Sequence, residues 1–139
     1  MAKSVRVKWV EKRQFVGTGS SRHTVVMSSQ DEENGTGISP GQLLLVALGG
    51  CTAYDVVDIL HKKRQQLTGL EVTVTGEQEP DPPWAYRKIH VQYVVQGKGL
   101  GEKAVHDAID LSEQKYCSVA ATLRTAAEIT YDYTIVEEE

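Results

Sequence analysis

The feature that most constrains this chain is a long apolar segment with a strong helix start, which predicts a helix from Pro40 to about Leu67. The hydroxyl of Ser39 can accept the backbone N–H of Gln42, and the Gln42 side chain can reach back to the start of the helix, which completes a capping box. Proline also suits the first helical position. Gly69 lies just beyond the segment and is the predicted terminator. The rest of the chain must fold around this helix.

The first half of the predicted helix, Leu43–Cys51, is apolar or small on every face, so we expect it to be fully buried. Gly49 and Gly50 each cost about 1 kcal/mol relative to alanine inside a helix. A packing gain should offset that cost, such as the close approach of another backbone, which we expect from a second subunit. A short chain has difficulty covering so apolar a helix alone, so we expect a dimer.

Alternating apolar and polar residues predict six strands in the rest of the chain. Three precede the helix, at 5–10, 13–17 and 23–28; two follow it as a long hairpin, at 70–74 and 89–95; and one closes the chain at 129–135. A helix from Ala104 to about Gln114 and a short helix beginning at Cys117 or Ser118 separate the hairpin from the last strand. The pattern predicts a single α+β domain over residues 1–139.

Composition and charge argue against several classes of function. A chain of 139 residues with 40% hydrophobic and 24% charged residues is typical of one globular domain. The net charge of −4 and the scattered cations argue against a nucleic-acid partner. The apolar run at 43–48 is too short to cross a bilayer, and no signal-peptide pattern opens the sequence. We therefore expect a cytoplasmic protein with no membrane and no nucleic-acid partner.

The chain has two cysteines, Cys51 and Cys117, 66 positions apart. This spacing fits neither a disulfide-dense scaffold nor a zinc site of paired cysteines, and no histidines lie at ligand spacing, so we expect no metal. From position alone, Cys51 is a small buried hydrophobe on the apolar stripe with Leu44 and Leu48. Cys117 lies at a helix start, where free N–H groups favour a thiolate. A redox role and a capping role are both open for Cys117.

Two motifs carry a family resemblance that covers essentially the entire chain. SPGQLLLVALGGCTAYDVV at 39–57 and LSEQKYCSVAATL at 111–123 resemble the two cysteine motifs of the OsmC/Ohr family of peroxiredoxin-type redox proteins. The opening RVKWVEKRQFVG at 6–17 is similar to the start of the OsmC-like branch. The resemblance implies an α+β fold with two β-sheets around a long buried central helix, in an intertwined homodimer with its site at the interface.

The same resemblance implies a thiol-dependent peroxidase that acts on small organic hydroperoxides. Cys51 would attack the peroxide and become a sulfenic acid, and Cys117 would resolve it as a disulfide. An external dithiol reductant, lipoyl or thioredoxin-like, would restore the reduced pair by thiol exchange. No metal, haem or flavin cofactor is implied.

The resemblance also suggests which residues surround the cysteines. The candidate pocket side chains are Gln42, Leu44, Leu48, Tyr54 and Tyr116. The Ohr branch stabilises its thiolate with an Arg held by a Glu near the helix start, where this chain has Gly41 and Gln42. Arg22 is the candidate thiolate-stabilising residue. Asp55 is assigned no catalytic role, because its negative charge opposes thiolate formation.

Two other interpretations of the sequence stay open. The cysteines could be relics in a non-catalytic OsmC-like protein that binds a small apolar ligand in the interface pocket. They could also form a structural disulfide, which a cytoplasmic location disfavours. Sulfurs within disulfide reach in a cleft favour the enzyme, whereas sulfurs far apart in a dry core favour the binding protein.

Overall fold

The computed structural model describes residues 2–139 and confirms the α+β class. In chain order its elements are β1 (Arg6–Glu11), β2 (Gln14–Thr18), β3 (Thr24–Ser28), α1 (Pro40–Lys62), β4 (Gln66–Gln78), β5 (Tyr86–Lys98), α2 (Glu102–Leu111), a π-helical turn (Ser112–Tyr116), α3 (Ser118–Leu123) and β6 (Glu128–Glu137). The chain divides into two compact units, Met1–Leu44 and Leu45–Glu139, and the boundary lies within α1. A single domain over residues 1–139 stays a prediction.

The first unit contains a three-stranded antiparallel sheet in the order β1-β2-β3. Val7 pairs with Gly17 across β1 and β2, and Ile38 extends the sheet beyond β3 through a bridge to Met27. All of β1 is exposed, including Val7 at 59% and Trp9 at 68%. The alternation predicted a half-buried strand, and that prediction is wrong for the single chain, because nothing in the described residues covers the apolar face of β1.

The second unit is built on a three-stranded sheet in the order β4-β5-β6. β4 and β5 form the predicted hairpin, and β6 runs parallel to β5, with Tyr93 opposite Tyr133. A parallel pair needs a long crossover connection, which α2, the π-helical turn and α3 supply. Alternate residues of β5 enter the core, as the two-residue period of a strand dictates. The buried core of this unit includes Leu48, Val56, Leu60, Ile89, Val91, Tyr93, Val95, Val105, Ala108 and Ile109.

α1 starts as predicted, and one of its faces joins this core. The Ser39 hydroxyl accepts the N–H of Gln42 at 3.2 Å, which confirms the predicted cap. Within residues 2–139, α1 is the one helix long and apolar enough to cross a membrane by length and composition, a property that core helices of globular proteins share. The side chains of Leu48, Val56 and Leu60 are fully buried in the protein.

α1 ends earlier than predicted. Its last residue is Lys62 and not Leu67. Arg64 takes the left-handed conformation that commonly ends helices, with φ of 57°, and β4 then begins only two residues later. Gly69, the predicted terminator, lies inside β4 at a register shift. The prediction failed because Leu67 fits the apolar period of the helix and also that of the following strand.

The first half of α1 is only partly buried, so the expectation of full burial is wrong for the single chain. Leu48 and Gly49 are buried, whereas Val46 is 55% exposed and Gly50 is exposed, because the helix packs on the sheet by one face. A Cβ added to Gly49 would lie 3.0 Å from Cγ2 of Val74. The close neighbour of Gly49 is therefore a β4 side chain of the same chain. A Cβ added to Gly50 meets nothing within 4 Å, and approach of a second subunit there stays a prediction.

Candidate active site

The two cysteines meet in the structure, although they are 66 positions apart in the sequence. Cys51 lies on α1, Cys117 immediately precedes α3, and both are free thiols. Asp55 follows Cys51 by one helical turn. One Asp55 carboxylate oxygen and the two sulfurs all lie within 4.8 Å of one another. A disulfide requires an S–S distance of about 2 Å, so the sulfurs can pair after a local movement.

Cys117 is positioned by the break between α2 and α3. α2 ends at Leu111, before the predicted end at about Gln114, and the chain continues as the π-helical turn. Such turns are rare and occur frequently at functional sites. Cys117 then takes an extended conformation and caps α3, with its Sγ accepting the N–H of Ala120 at 3.3 Å. The predicted short helix is confirmed, and Cys117 is its cap.

Burial controls the protonation of Cys117. Its side chain is only 2% exposed. This burial, a hydrogen bond with Cys51 and the charge of Cys51 together raise the pKa of the Cys117 thiol to about 12. The N–H groups of Ala120 and Val119 lower that pKa, but burial outweighs them. The helix start favours a thiolate as expected, but burial has the larger effect, so Cys117 keeps its proton at neutral pH.

A buried serine holds the Asp55 carboxylate. Ser112 has no exposed surface, and its hydroxyl donates to Oδ2 of Asp55 at 2.8 Å, with the carbonyl oxygen of Thr52 at 3.4 Å as a second acceptor. Because Ser112 belongs to the π-helical turn, this contact links that turn to α1. Among residues 2–139, no Lys, Arg or His forms an ion pair with Asp55. The carboxylate is thus oriented beside two sulfurs without a neutralising side chain.

A second buried polar pair borders the cysteines. The Tyr93 hydroxyl donates to the Glu113 carboxylate, and the Arg124 guanidinium donates to the Glu113 backbone carbonyl. Burial raises the pKa of both Tyr93 and Glu113. Their shared hydrogen bond raises the pKa of Tyr93 further, whereas at Glu113 the same bond and the Arg124 charge oppose the rise. Ionisation of Cys117 would raise the pKa of Tyr93 further, so the two groups lie close enough to interact electrostatically.

The site is accessible on the Cys51 side. Cys51 is half-buried, Tyr54 lies three residues later on α1 with 75% exposure, and Tyr116, directly before Cys117, is 53% exposed. Part of Cys51 is therefore exposed to solvent, and each cysteine has an exposed tyrosine close to it in the sequence. The donors at the site can act as a dithiol redox pair or as ligands for a thiophilic metal ion.

Comparison with known proteins decides the family. The family model described as OsmC-like protein matches residues 32–132, most of the chain, and the match includes both cysteines. The chain belongs to the OsmC-like family. It is also similar to protein YhfA of Escherichia coli strain K12, with 41% identity over 131 residues that cover 94% of this chain and 96% of YhfA. The predicted OsmC/Ohr resemblance is confirmed.

Solved structures share the OsmC-like fold. An OsmC-like protein from Mycoplasma pneumoniae has a TM-score of 0.84 at 17% identity, over 98% of each chain. The organic hydroperoxide resistance protein OhrB of Bacillus subtilis has a TM-score of 0.63 at 14% identity, over 96% of this chain and 98% of OhrB. The OsmC/Ohr family is related to peroxiredoxin-like redox proteins and includes cysteine-based peroxide reductases, and its members are generally dimeric.

The other predicted site residues differ in their exposure to solvent. Leu48 is fully buried in the core of the second unit. Gln42 and Leu44 lie in the first turns of α1, and both are exposed in the single chain. Arg22 is exposed in the turn between β2 and β3, with φ of 69°. The pocket roles of Gln42, Leu44, Leu48, Tyr54 and Tyr116, and the thiolate-stabilising role of Arg22, stay predictions.

The polar side chains near the two thiols could not be identified from the sequence. Asp55 lies four residues after Cys51, a spacing that signals a shared helical face, but its charge argued against a role. Ser112 follows Ala108 by four residues and so continues the small and apolar face of α2, which indicates burial of Ser112 but does not indicate its partner. The Tyr93–Glu113 bond joins β5 to the π-helical turn. The two residues are far apart in the sequence, so no local pattern predicts the pair.

Proposed function

We propose that this protein is a thiol-dependent peroxidase that reduces small organic hydroperoxides through Cys51 and Cys117. The observation that carries the proposal is the meeting of two free thiols within 4.8 Å. The pair combines a half-buried cysteine with a buried one. The more exposed thiol, Cys51, is suited to attack an entering peroxide, and the buried thiol, Cys117, is suited to resolve the sulfenic acid as a disulfide.

The proposed cycle has three balanced steps. The Cys51 thiolate attacks the outer peroxide oxygen, the O–O bond breaks, and the leaving oxygen takes up a proton, which gives an alcohol and a Cys51 sulfenic acid. The Cys117 sulfur then attacks the sulfenic sulfur, a disulfide forms, and the hydroxyl leaves with the Cys117 proton as water. An external dithiol, lipoyl or thioredoxin-like, then supplies two electrons and two protons through a mixed disulfide. No metal, haem or flavin takes part.

The protonation of Cys117 leaves the first step, attack on the peroxide, to Cys51. Because its pKa is raised to about 12, Cys117 keeps its proton and does not compete with Cys51 for the peroxide. The retained proton is the one that the departing hydroxyl needs. The exposed aromatic rings of Tyr54 and Tyr116 lie beside the cysteines in sequence and offer apolar surface to an organic substituent, which favours an organic hydroperoxide over hydrogen peroxide.

We also propose that the protein acts as a homodimer. Each unit exposes large apolar side chains in the single chain: Val5, Val7, Trp9 and Val10 in the first, and Val46, Tyr54 and Tyr116 in the second. Exposed apolar patches commonly mark surfaces that another protein covers. A second copy would cover these side chains, in line with the dimers general in the family. Sedimentation equilibrium should give twice the chain mass, and a monomer at micromolar concentration would contradict this part of the proposal.

A cytoplasmic location fits this chemistry. The cytosol keeps cysteines reduced and supplies dithiol reductants that can reset a disulfide. The proposed cycle needs both of these, and it needs neither a membrane nor a nucleic acid.

A non-catalytic OsmC-like protein that binds a small apolar ligand is the alternative. One observation favours it: the first unit contains an apolar groove of about 390 Å³, lined in part by Val5, Val7, Met27 and Leu43. Grooves of this size accept small molecules. This alternative leaves the adjacent free thiols without a role, so we prefer the peroxidase.

Titration of free thiols before and after one equivalent of an organic hydroperoxide tests the proposal. The reduced native protein should lose both thiols, and Cys51→Ser should keep its remaining thiol. Cys117→Ser should lose its single thiol as an unresolved sulfenic acid that dimedone traps. Unchanged thiols in the native protein would rule out the peroxidase and leave the binding protein.

A further inference from the structure

We propose that Cys51, Asp55 and Cys117 form a binding site for a thiophilic divalent metal ion, with Zn²⁺ as the best match. The proposal does not rest on peroxidase activity, because metal binding requires only the reduced thiols and the carboxylate. It concerns a regulatory or masking ligand and adds no cofactor to the proposed catalytic cycle.

The geometry of the three donors carries this inference. The two sulfurs and one Asp55 oxygen lie within 4.8 Å of one another. In a tetrahedral zinc site, with Zn–S of about 2.3 Å and Zn–O of about 2.1 Å, neighbouring donor atoms are about 3.6 to 3.8 Å apart. Contractions of about 1 Å therefore suffice to close the three donors on one ion. Three protein ligands leave one tetrahedral position for a further ligand, and Cys51 is only half-buried.

The charge of the site favours a cation. Ionised Cys51 and Cys117 would join the Asp55 carboxylate as up to three negative charges. Lys, Arg and His side chains of residues 2–139 make no ion pair with Asp55. A bound metal deprotonates a coordinating thiol outright, so it would release the Cys117 proton that burial otherwise retains. Two S–H bonds would break, two sulfur–metal bonds would form, and two protons would pass to solvent.

Ser112 supplies the outer support that metal ligands usually have. Its hydroxyl, fully buried, donates to Oδ2 of Asp55 at 2.8 Å and so fixes the plane of the carboxylate. The carboxylate oxygen that lies within 4.8 Å of both sulfurs would be the ligand to the ion. Such partners of a ligand orient it and contribute about 10- to 100-fold to metal affinity.

Metal binding and disulfide formation exclude each other at this site. A Cys51–Cys117 disulfide would consume both sulfur donors, so the oxidised protein should not bind the ion. The reduced protein should bind it and lose thiol reactivity while it is bound. The reactivity of the Cys51–Cys117 dithiol would then depend on the concentration of free zinc.

Titration of the reduced protein with Co²⁺ and then Zn²⁺ tests the site without any activity assay. Bound Co²⁺ should show thiolate-to-metal charge-transfer absorption in the near ultraviolet, and one equivalent of Zn²⁺ per chain should abolish it. The disulfide form should show no charge-transfer band with Co²⁺ and should bind no Zn²⁺. Absence of the charge-transfer band in the reduced protein would overturn the proposal.

Variants then assign the ligands. We expect Cys51→Ser and Cys117→Ser each to weaken zinc binding by at least about 100-fold, and Asp55→Asn and Ser112→Ala by about 10- to 100-fold. Asp58→Asn is the matched control, because Asp58 is an exposed carboxylate one turn from the site that pairs with Lys62. Circular dichroism checks that each variant folds. Zinc affinity unchanged by Cys51→Ser and Asp55→Asn would overturn the assignment, whatever the peroxidase assay shows.

Discussion

The Ser112 hydroxyl donates a hydrogen bond to Oδ2 of Asp55 across 2.8 Å, although the two residues are 57 positions apart. One partner belongs to the π-helical turn before Cys117, and the other lies one turn after Cys51 on α1. This single bond therefore couples the two elements that carry the thiols. The distance between the thiols depends on how those two elements are held.

Ser112→Ala tests this coupling. Removal of the hydroxyl leaves a partly buried carboxylate without its donor, so we expect the free energy of unfolding to fall by about 1 to 3 kcal/mol. Urea denaturation followed by circular dichroism measures this change. Ser118→Ala, at an exposed position next to Cys117, should stay within about 0.5 kcal/mol of the native protein. Equal stabilities for the two variants would show that the bond contributes nothing.

Glu113→Gln tests the buried polar pair through its pH dependence. Burial raises the pKa of Glu113 in the folded protein, whereas in the unfolded chain a glutamate titrates near a pH of about 4.3. As the pH rises above that value, the unfolded chain loses the proton first, so the native protein loses stability until the folded pKa is passed. Glutamine carries no such proton and can still accept the Tyr93 hydrogen bond.

The stability of native protein relative to Glu113→Gln should therefore decrease as the pH rises from 4 towards neutrality. Denaturation curves at several pH values measure this difference. Glu102→Gln, at an exposed position in the first turn of α2, is the control and should show no comparable trend. A difference that grows in favour of the native protein with rising pH would contradict a raised Glu113 pKa.

The alkylation rate of Cys117 in Cys51→Ala should report its raised pKa. Burial is the largest cause of the rise to about 12, and it persists without Cys51. The rate with iodoacetamide should therefore be low at pH 7 and keep rising above pH 9, where an exposed cysteine peptide, with a pKa of about 8.5, reaches its plateau. An alkylation rate that reaches its plateau at the same pH as the rate of the peptide would contradict a raised Cys117 pKa.

Gly49→Ala and Gly50→Ala form a matched pair on α1. The alanine methyl at 49 would lie 3.0 Å from the Val74 side chain, so we expect overpacking to offset the gain in helix propensity of about 1 kcal/mol and to make Gly49→Ala less stable than Gly50→Ala. The methyl at 50 meets nothing within 4 Å, so the gain in helix propensity, about 1 kcal/mol, should dominate in the single chain. Denaturation at low protein concentration measures both. A Gly49→Ala protein at least as stable as Gly50→Ala would contradict the packing described for α1.

Local signals account for the parts of the fold that the sequence predicts well. The cap at Ser39, the six strands and the hairpin follow from capping chemistry and from periods of two and 3.6 residues. The end of α1 is ambiguous in sequence because Leu67 satisfies both periods. The π-helical turn has no distinctive composition. The exposure of β1 could not be predicted from the sequence. Alternating apolar residues occur both in strands that the same chain covers and in strands that a partner covers.

Only part of the candidate site could be predicted from the sequence. The two cysteines could be identified from their motifs, and their proximity follows from the fold that those motifs imply. The protonated state of Cys117 could not be predicted, because burial opposes the helix start and only the structure gives the balance between them. The Ser112–Asp55 and Tyr93–Glu113 bonds join residues far apart in sequence, so no local pattern encodes them.

The most direct test of the central claim is a single-turnover reaction of the reduced protein with cumene hydroperoxide, with the alcohol quantified and the disulfide mapped by mass spectrometry. The account predicts one alcohol for each Cys51–Cys117 disulfide formed, and no disulfide in Cys51→Ser or Cys117→Ser. Intact thiols with no alcohol, or a disulfide that links cysteines of different chains only, would contradict it.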